Sequence, residues 1–471
     1  MSEIVELKFW HFIALLLLAT YGLLQLVILP LIQKFIYRRF QATERILDEE
    51  LDFGLPSYAL ANRRLWIDRL LSDPDVKNII KKTIQEDDRP AHKVLKEARD
   101  YANEIVPSFN AFLYFRLGYW LSKIFLRMFY WIKVGYRSEH DYQQITKDDC
   151  VVLVSNHRSN FDPLLLIYMT SQRAPISYAA GEWALVFPFR QLLHAFGFYI
   201  IRRDRSGDKL YHCLLQRYVF LATSQCVPQG LFIEGGLSRD GQMQPMKLGL
   251  LNYLLKANKE GNCRDIVFIP AALNYDRIPE FKTLIAHQDK GFEDKSRFYT
   301  LLSFIRFVAT VTTYMLPRRH KPFGYSCVNF GVPISLNKWQ QENAVDINNL
   351  DPSARREVID KLGQELTGRI SSLIPILPTN ILAKVFEEST DLPLSEIELK
   401  VRATEIIKQI TKKDGEVFLP KNDEDYALSQ GIYILIREKI IQPTGDGRFT
   451  LVKGSQKMLA YYCNIFSDTT T

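Results

Sequence analysis

Six short apolar runs, each ending at polar residues or glycine, punctuate the middle of the chain: Val151–Ser155, Ile176–Ala180, Phe198–Ile201, Gly230–Ile233, Ile266–Ala272 and Cys327–Phe330. Runs of this length, rich in Val, Ile and Phe and bounded by turn residues, predict buried strands. Helical stretches alternate with them. Residues 141–340 are therefore expected to form an α/β domain with a mostly parallel central sheet flanked by helices. Upstream, residues 41–140 carry Leu and Ile at helical spacing and predict a helical region. Its aromatic segment, Phe109 to Val134, reads either as a helix lying in a membrane interface or as an ordinary helix covering the sheet. Downstream, residues 341–471 are polar and mostly helical, with amphipathic helices at Leu394–Ile410 and Tyr426–Lys439 and a hairpin around Gly445–Gly447. That region reads as a helical C-terminal appendage.

Two longer apolar runs stand apart. Phe9 to Ile32 is 24 residues without a charged side chain, enough to cross a bilayer with some tilt. A cleaved signal peptide fits poorly, because Glu3 and Glu6 make its start acidic and no small-residue cleavage site follows. Residues 1–40 are thus expected to be an N-terminal membrane anchor, a single transmembrane helix. Lys34, Arg38 and Arg39 follow it and place the rest of the chain in the cytoplasm by the positive-inside rule. Phe298 to Leu316 is broken only by Arg306. A membrane crossing there would put Cys327–Phe330 on the wrong side of the sheet it should join, so a buried or surface-docked segment is expected instead.

The composition, 47% hydrophobic and 24% charged, is that of a folded protein. A net charge of +7 suits anionic lipid or phosphorylated substrates, and no Lys/Arg run interleaved with aromatics suggests a nucleic-acid reader. The six cysteines stand singly, without a C-x-x-C pair. This spacing implies unpaired core residues in a reducing compartment and gives no zinc signature.

The chemistry gathers where strands end. After Val151–Ser155 comes Asn156-His-Arg-Ser-Asn-Phe-Asp-Pro163, in which Asp162 is expected at a helix N-cap and Pro163 at its first position. In the intervening loop His157 and Asp162 can meet. The helix dipole favours a carboxylate there, which would hold the imidazole in one tautomer and leave its other nitrogen to take a proton from a hydroxyl. The strand at Phe198–Ile201 ends in Arg202 and Arg203, whose planar forks suit a phosphate or, equally, an ion pair with Asp204 or Asp208. Gly230–Ile233 runs into Glu234-Gly-Gly-Leu-Ser-Arg239. Gly235 and Gly236 let backbone N–H groups approach a ligand, Glu234 can accept from substrate hydroxyls, and Ser238, Arg239 and the later Lys247 can reach phosphate. The last strand carries Pro270 and ends at Tyr275-Asp-Arg277; its apolar half could line an acyl pocket or be plain core.

Taken in this order, the stretches resemble the four blocks of the glycerolipid acyltransferases, with Asn156-His157-Arg158-Ser159-x-x-Asp162 as the first. Gly197–Arg203, Glu234-Gly235-Gly236-x-Ser238-Arg239 and Tyr275-Asp276-Arg277-x-x-Glu280 look most like the bacterial membrane-bound glycerol-3-phosphate acyltransferases. Val328–Pro333, Leu373–Pro378 and Ala460–Asn464 look like later blocks of the same family, so the likeness runs over roughly residues 140–470. Leu237 departs from the Arg found in much of the wider family.

The resemblance implies a glycerolipid acyltransferase fold and transfer of a fatty acyl group from acyl-CoA or acyl carrier protein to the sn-1 hydroxyl of glycerol 3-phosphate, giving lysophosphatidate. It implies His157 as general base and Asp162 as its orienting carboxylate. Arg158, Ser159, Arg202, Arg203, Glu234, Gly235, Gly236, Ser238, Arg239 and Lys247 would then be substrate-binding. No cofactor and no metal are expected, with membrane phospholipids as partners and the bacterial inner membrane as location. Lysophosphatidate or dihydroxyacetone phosphate as acceptor, and a non-catalytic lipid-binding protein of the same fold, are the alternatives.

Overall fold

The computed structural model describes residues 63–469, apart from 111–112, 139, 171–174, 182–188, 203, 206, 259–262, 287–322, 390–391 and 414. The expected anchor Phe9–Ile32, the apolar run Phe298–Leu316 and Arg203 lie outside the described residues. Among those described, no helix is long and apolar enough to cross a membrane. No group of His, Cys, Asp and Glu among them is arranged to hold a metal ion.

The described chain starts with helices α1 (Arg63–Ser72), α2 (Pro74–Glu86) and α3 (Ala91–Ile105). Asp73 caps α2 by accepting from the Asp75 N–H at 3.0 Å, with Pro74 in the first turn, where a missing N–H costs nothing. The aromatic segment is not one helix. A π-helical stretch, Leu113–Gly118, leads into α4 (Tyr119–Phe129), and Trp131–Tyr136 then forms strand β1. Aromatic density there masked a strand whose β-branched and aromatic residues pair in parallel with Tyr325–Phe330, strand β7.

Between them the chain makes β2 (Asp149–Ser155), α5 (Asp162–Thr170), β3 (Ser177–Ala180), β4 (Tyr199–Ile200), α6 (Lys209–Ser224), β5 (Gln229–Phe232), α7 (Leu248–Leu255) and β6 (Asp265–Tyr275). All six expected strands are present, with ends shifted by no more than three residues. They order as β1-β7-β6-β2-β5-β3-β4, with the short β8 (Ile334–Ser335) also on β6. Strands β6, β2, β5, β3 and β4 are mutually parallel, so their carboxyl ends share one edge. Pro270 sits where the far side of β6 passes from β8 to β7, a gap that needs no N–H.

Every residue of β2 is buried, as expected of a parallel strand covered on both faces. Val151 and Leu153 join one apolar layer, whereas Cys150, Val152 and Val154 join the other. Helices α1–α3, α6 and α7 and the long α8 (Pro352–Leu373) build the second layer. The first takes α4 and α5 together with the C-terminal helices α9 (Pro378–Glu388), α10 (Glu396–Lys412), α11 (Glu424–Arg437) and α12 (Gln456–Cys463). A small antiparallel sheet, β10 (Ile441–Pro443), β11 (Arg448–Leu451) and β9 (Leu394–Ser395), closes that end. The C-terminal region is therefore no detached appendage: it supplies about two fifths of the buried residues of one core layer, and the boundary expected at 340 runs through that layer.

Cys226 and Cys263 form a disulfide 37 residues apart in sequence. It joins the turn before β5 to the start of β6, brought together because both strands flank β2. The expectation of unpaired cysteines came from local spacing, which cannot report on strands adjacent only in three dimensions. The reducing compartment inferred from it loses its support. Cys150, Cys213, Cys327 and Cys463 are free thiols.

Candidate active site

The loop after β2 is held on both sides. Asn156 pairs with the backbone of β6 in both directions, donating to the Leu273 carbonyl at 3.0 Å and accepting the Leu273 N–H at 2.8 Å. Next, the His157 N–H donates to Glu234 Oε1 at 2.8 Å, and the His157 carbonyl accepts the Ser238 N–H at 2.9 Å. These bonds lock the loop to its neighbours on both sides, at the carboxyl ends of β5 and β6. Parallel sheets build sites on that edge.

His157 and Asp162 do meet. Nδ1 lies 2.9 Å from Asp162 Oδ2, and the same oxygen accepts the N–H groups of Arg158 at 2.6 Å and Ser159 at 3.0 Å. Asp162 belongs to the first turn of α5, yet its carboxylate turns back to close the preceding loop. With Nδ1 facing an acceptor, the proton is assigned to Nδ1 and Nε2 carries the lone pair. The imidazole stacks on Phe232, centroids 4.0 Å apart. Its side chain is 16% exposed against 0% for Asp162, so the ring is reachable while its partner is not.

Several residues expected to touch substrate have polar atoms bonded within the scaffold. Glu234 is 3% exposed; besides His157, it accepts the Gln244 N–H at 2.7 Å. Burial pushes its carboxyl up to about 7, against those two N–H groups, which pull it down. Each of its oxygens thus accepts one backbone N–H of the loop. The Arg158 guanidinium is buried, donating through Nη1 to the Gly241 carbonyl and lying over the Tyr461 ring. The Ser159 hydroxyl donates to Glu280, and the Ser238 hydroxyl to the Gln242 carbonyl at 2.7 Å. Gly235 has φ +62°, and its N–H closes a turn on the Phe232 carbonyl at 2.9 Å. Arg202 is gripped by Asp204 at 2.6 Å and by Glu104 at 3.4 Å, which is the ion-pair alternative. Leu237 packs against the core.

Of the expected cations, Arg239 and Lys247 are exposed. Arg239 follows the residue bonded to the His157 carbonyl, and the Lys247 stem lies against Gly235. Gly236 sits half-buried in the same loop. Sequence patterns do not single out Gly241, at φ +89°, where an added Cβ would fall 1.9 Å from the Tyr461 carbonyl oxygen. Nor do they show that Asn464, the end of the last family block, donates its amide to the Asp240 carbonyl at 2.8 Å. Nothing local signals these two, because their partners lie more than 200 residues away.

An accessible imidazole oriented by a buried carboxylate, beside a loop carrying exposed cations, can take a proton from a hydroxyl. Residues 137–274 match the family model described as Acyltransferase. Residues 311–466 match that of the glycerol-3-phosphate acyltransferase C-terminal region. The class is thus an α/β acyltransferase. A glycerol-3-phosphate acyltransferase of Pseudomonas fluorescens is 27% identical over 72% of this chain and 40% of its own length. One of Aeromonas hydrophila is 25% identical over 86% and 50%. The chain is thus similar in both halves to the glycerol-3-phosphate acyltransferases, and it spans 40% to 50% of the length of these relatives. A solved 1-acyl-sn-glycerophosphate acyltransferase of Thermotoga maritima is 16% identical over 54% of this chain and 80% of its own, with a TM-score of 0.30, a likeness too loose to add to the assignment.

Proposed function

We propose that this protein transfers a fatty acyl group from acyl-CoA or acyl carrier protein to the sn-1 hydroxyl of glycerol 3-phosphate. The observation that carries the reading is the 2.9 Å contact between His157 Nδ1 and a fully buried Asp162. His157 takes the hydroxyl proton through Nε2 as the oxygen attacks the thioester carbonyl. Collapse of the tetrahedral adduct breaks the carbon–sulfur bond, and the imidazolium returns the proton to the departing thiolate. Asp162 stabilises that imidazolium. Positioned acid–base help of this kind supplies roughly 10²–10⁴-fold; the remainder falls to holding the two substrates in register. Arg239 and Lys247, with Arg203 from the second block, hold the phosphate, and the N–H of Gly236 is the candidate donor for the developing oxyanion.

The protein acts at a membrane in this reading, attached by Phe9–Ile32 with its catalytic part on the cytoplasmic side of a bacterial inner membrane. Helix α4 adds to this. It leaves Trp120, Leu121 and Ile124 exposed together with Arg127, a mixture suited to a lipid interface with anionic headgroups. Phe125 of the same helix packs edge-on against Phe161 of the catalytic loop, and in this reading an acyl product would form close to lipid.

The test is an acylation assay on detergent-solubilised full-length protein with palmitoyl-CoA or palmitoylated carrier protein and radiolabelled glycerol 3-phosphate, with lysophosphatidate and dihydroxyacetone phosphate in parallel. Label is expected in lysophosphatidate and absent with His157→Ala. Product from lysophosphatidate or dihydroxyacetone phosphate alone overturns the acceptor and keeps the mechanism. No product with any acceptor and either donor overturns the enzyme reading in favour of a lipid-binding protein.

A further inference from the structure

Asp162 receives four hydrogen bonds, and three of them fall on Oδ2. Oδ1 has one partner among the described residues, the Tyr275 hydroxyl at 2.6 Å. Tyr275 closes β6 and is 4% exposed. Burial, and after it the neighbouring Asp162 carboxylate, hold its phenol well above the ordinary value, so it acts as a neutral donor. The geometry points to Tyr275 as a positioning residue of the His157–Asp162 pair: by fixing Oδ1 it sets the plane of the carboxylate and keeps Oδ2 on Nδ1.

Tyr275 is itself moored by the C-terminal region. Its N–H donates to Asn274 Oδ1 at 2.9 Å, and Asn274 Nδ2 donates to the Pro375 carbonyl at 2.8 Å and to Asn380 Oδ1 at 3.0 Å. On the other side Asp276 accepts the Thr379 hydroxyl at 2.9 Å and the Tyr325 N–H at 2.8 Å, while its carbonyl accepts the Tyr462 hydroxyl at 2.8 Å. Arg277 pairs with the buried Glu438 at the end of α11. The residues after 373 therefore reach the base through β6, with Tyr275 as the final link. Glu280 supports the same loop from below by accepting the Ser159 hydroxyl at 3.1 Å and the Asn160 N–H.

This inference rests on the proposed role of His157 as base. The experiment measures kcat and both KM values for full-length Tyr275→Phe. His157→Ala tests the underlying reading. Tyr142→Phe, which loses a buried phenol bond to the Gly331 carbonyl away from the pair, is the control. Tyr275→Phe is expected to lower kcat about tenfold with each KM within twofold, while Tyr142→Phe leaves kcat within twofold. A kcat for Tyr275→Phe within twofold of wild type, or a fall matched by Tyr142→Phe, overturns the inference. Full activity of His157→Ala sinks the reading beneath it instead. Should Tyr275→Phe fail to fold, restoration of folding by adding Asp162→Asn supports the link, since it removes the stranded carboxylate charge; no restoration overturns it.

Discussion

Glu234→Gln keeps the shape of the side chain and changes two things at once. The carboxylate accepts one backbone N–H on each oxygen, from His157 at 2.8 Å and Gln244 at 2.7 Å. An amide has one accepting oxygen, so one of these N–H groups must face an NH2. That mismatch costs about 2 kcal/mol or more. Against it stands the removal of a titrating group whose pKa burial raises from 4.5 to about 7. Below pH 4.5 the carboxyl is protonated in both folded and unfolded chains and its stabilisation is whole. As pH rises, the unfolded chain releases the proton first, so folded stability declines until the native group ionises near 7. The difference between the two pKa values corresponds to about 3 kcal/mol in total, of which about 2.5 kcal/mol falls between pH 5 and pH 8. Wild type should thus exceed the variant clearly at pH 5 and approach it at pH 8. Urea denaturation followed by tryptophan fluorescence, on both proteins at both pH values, reads the gap directly and cancels every other titrating group. A gap constant to within about 0.5 kcal/mol, or one that widens with pH, would refute the reasoning; the second result would mean that the two N–H donors outweigh burial.

Gly241→Ala should destabilise the fold by about 3 kcal/mol or more, because the new Cβ meets the Tyr461 carbonyl oxygen at a backbone angle of φ +89°; a loss below about 1 kcal/mol in the same denaturation assay contradicts the close approach. Arg202→Ala should lower stability by about 2 kcal/mol, since Glu104, 9% exposed, loses its counter-charge. Its KM for glycerol 3-phosphate should stay within threefold, and a tenfold rise would return Arg202 to the phosphate. Cys226→Ser should cost about 3–4 kcal/mol given the 37-residue separation of the bridge. Dithiothreitol should cost wild type the same amount, and a titration finding all six cysteines as thiols in the untreated protein would show that the bridge does not form.

Strand positions were readable because each is a short apolar run that stops at polar residues, and His157 with Asp162 was readable because both lie on one short loop. What stayed hidden depends on distance along the chain. Trp131–Tyr136 looked helical since its aromatic neighbours hid the alternation, and its partner β7 begins at Tyr325. Glu234 and Arg158 suit a substrate by residue type alone. Only their neighbours, Gln244 and Gly241, show that the same donors and acceptors are engaged by backbone. Tyr275 and Glu280 stand in the last of the four motifs, but a motif gives order, and the contact with Asp162 needs the register of β6 on β2.

The pairing of β1 with β7 also dictates how this protein can be made. Strand β1 is complete by Tyr136, yet it has no hydrogen-bonding neighbour until the chain has passed Phe330. Meanwhile β6 presents the edge that β7 will occupy, in a sheet of long-range contacts that forms slowly. During synthesis the nascent acyltransferase half thus carries two unsatisfied strand edges and a bare apolar face awaiting α9 to α12. That is the state in which a chain aggregates or engages a chaperone. A fragment cut near residue 274, at the end of the match to the acyltransferase model, would be trapped in it permanently. Expression of the two halves from separate genes should yield soluble protein only when they are made together.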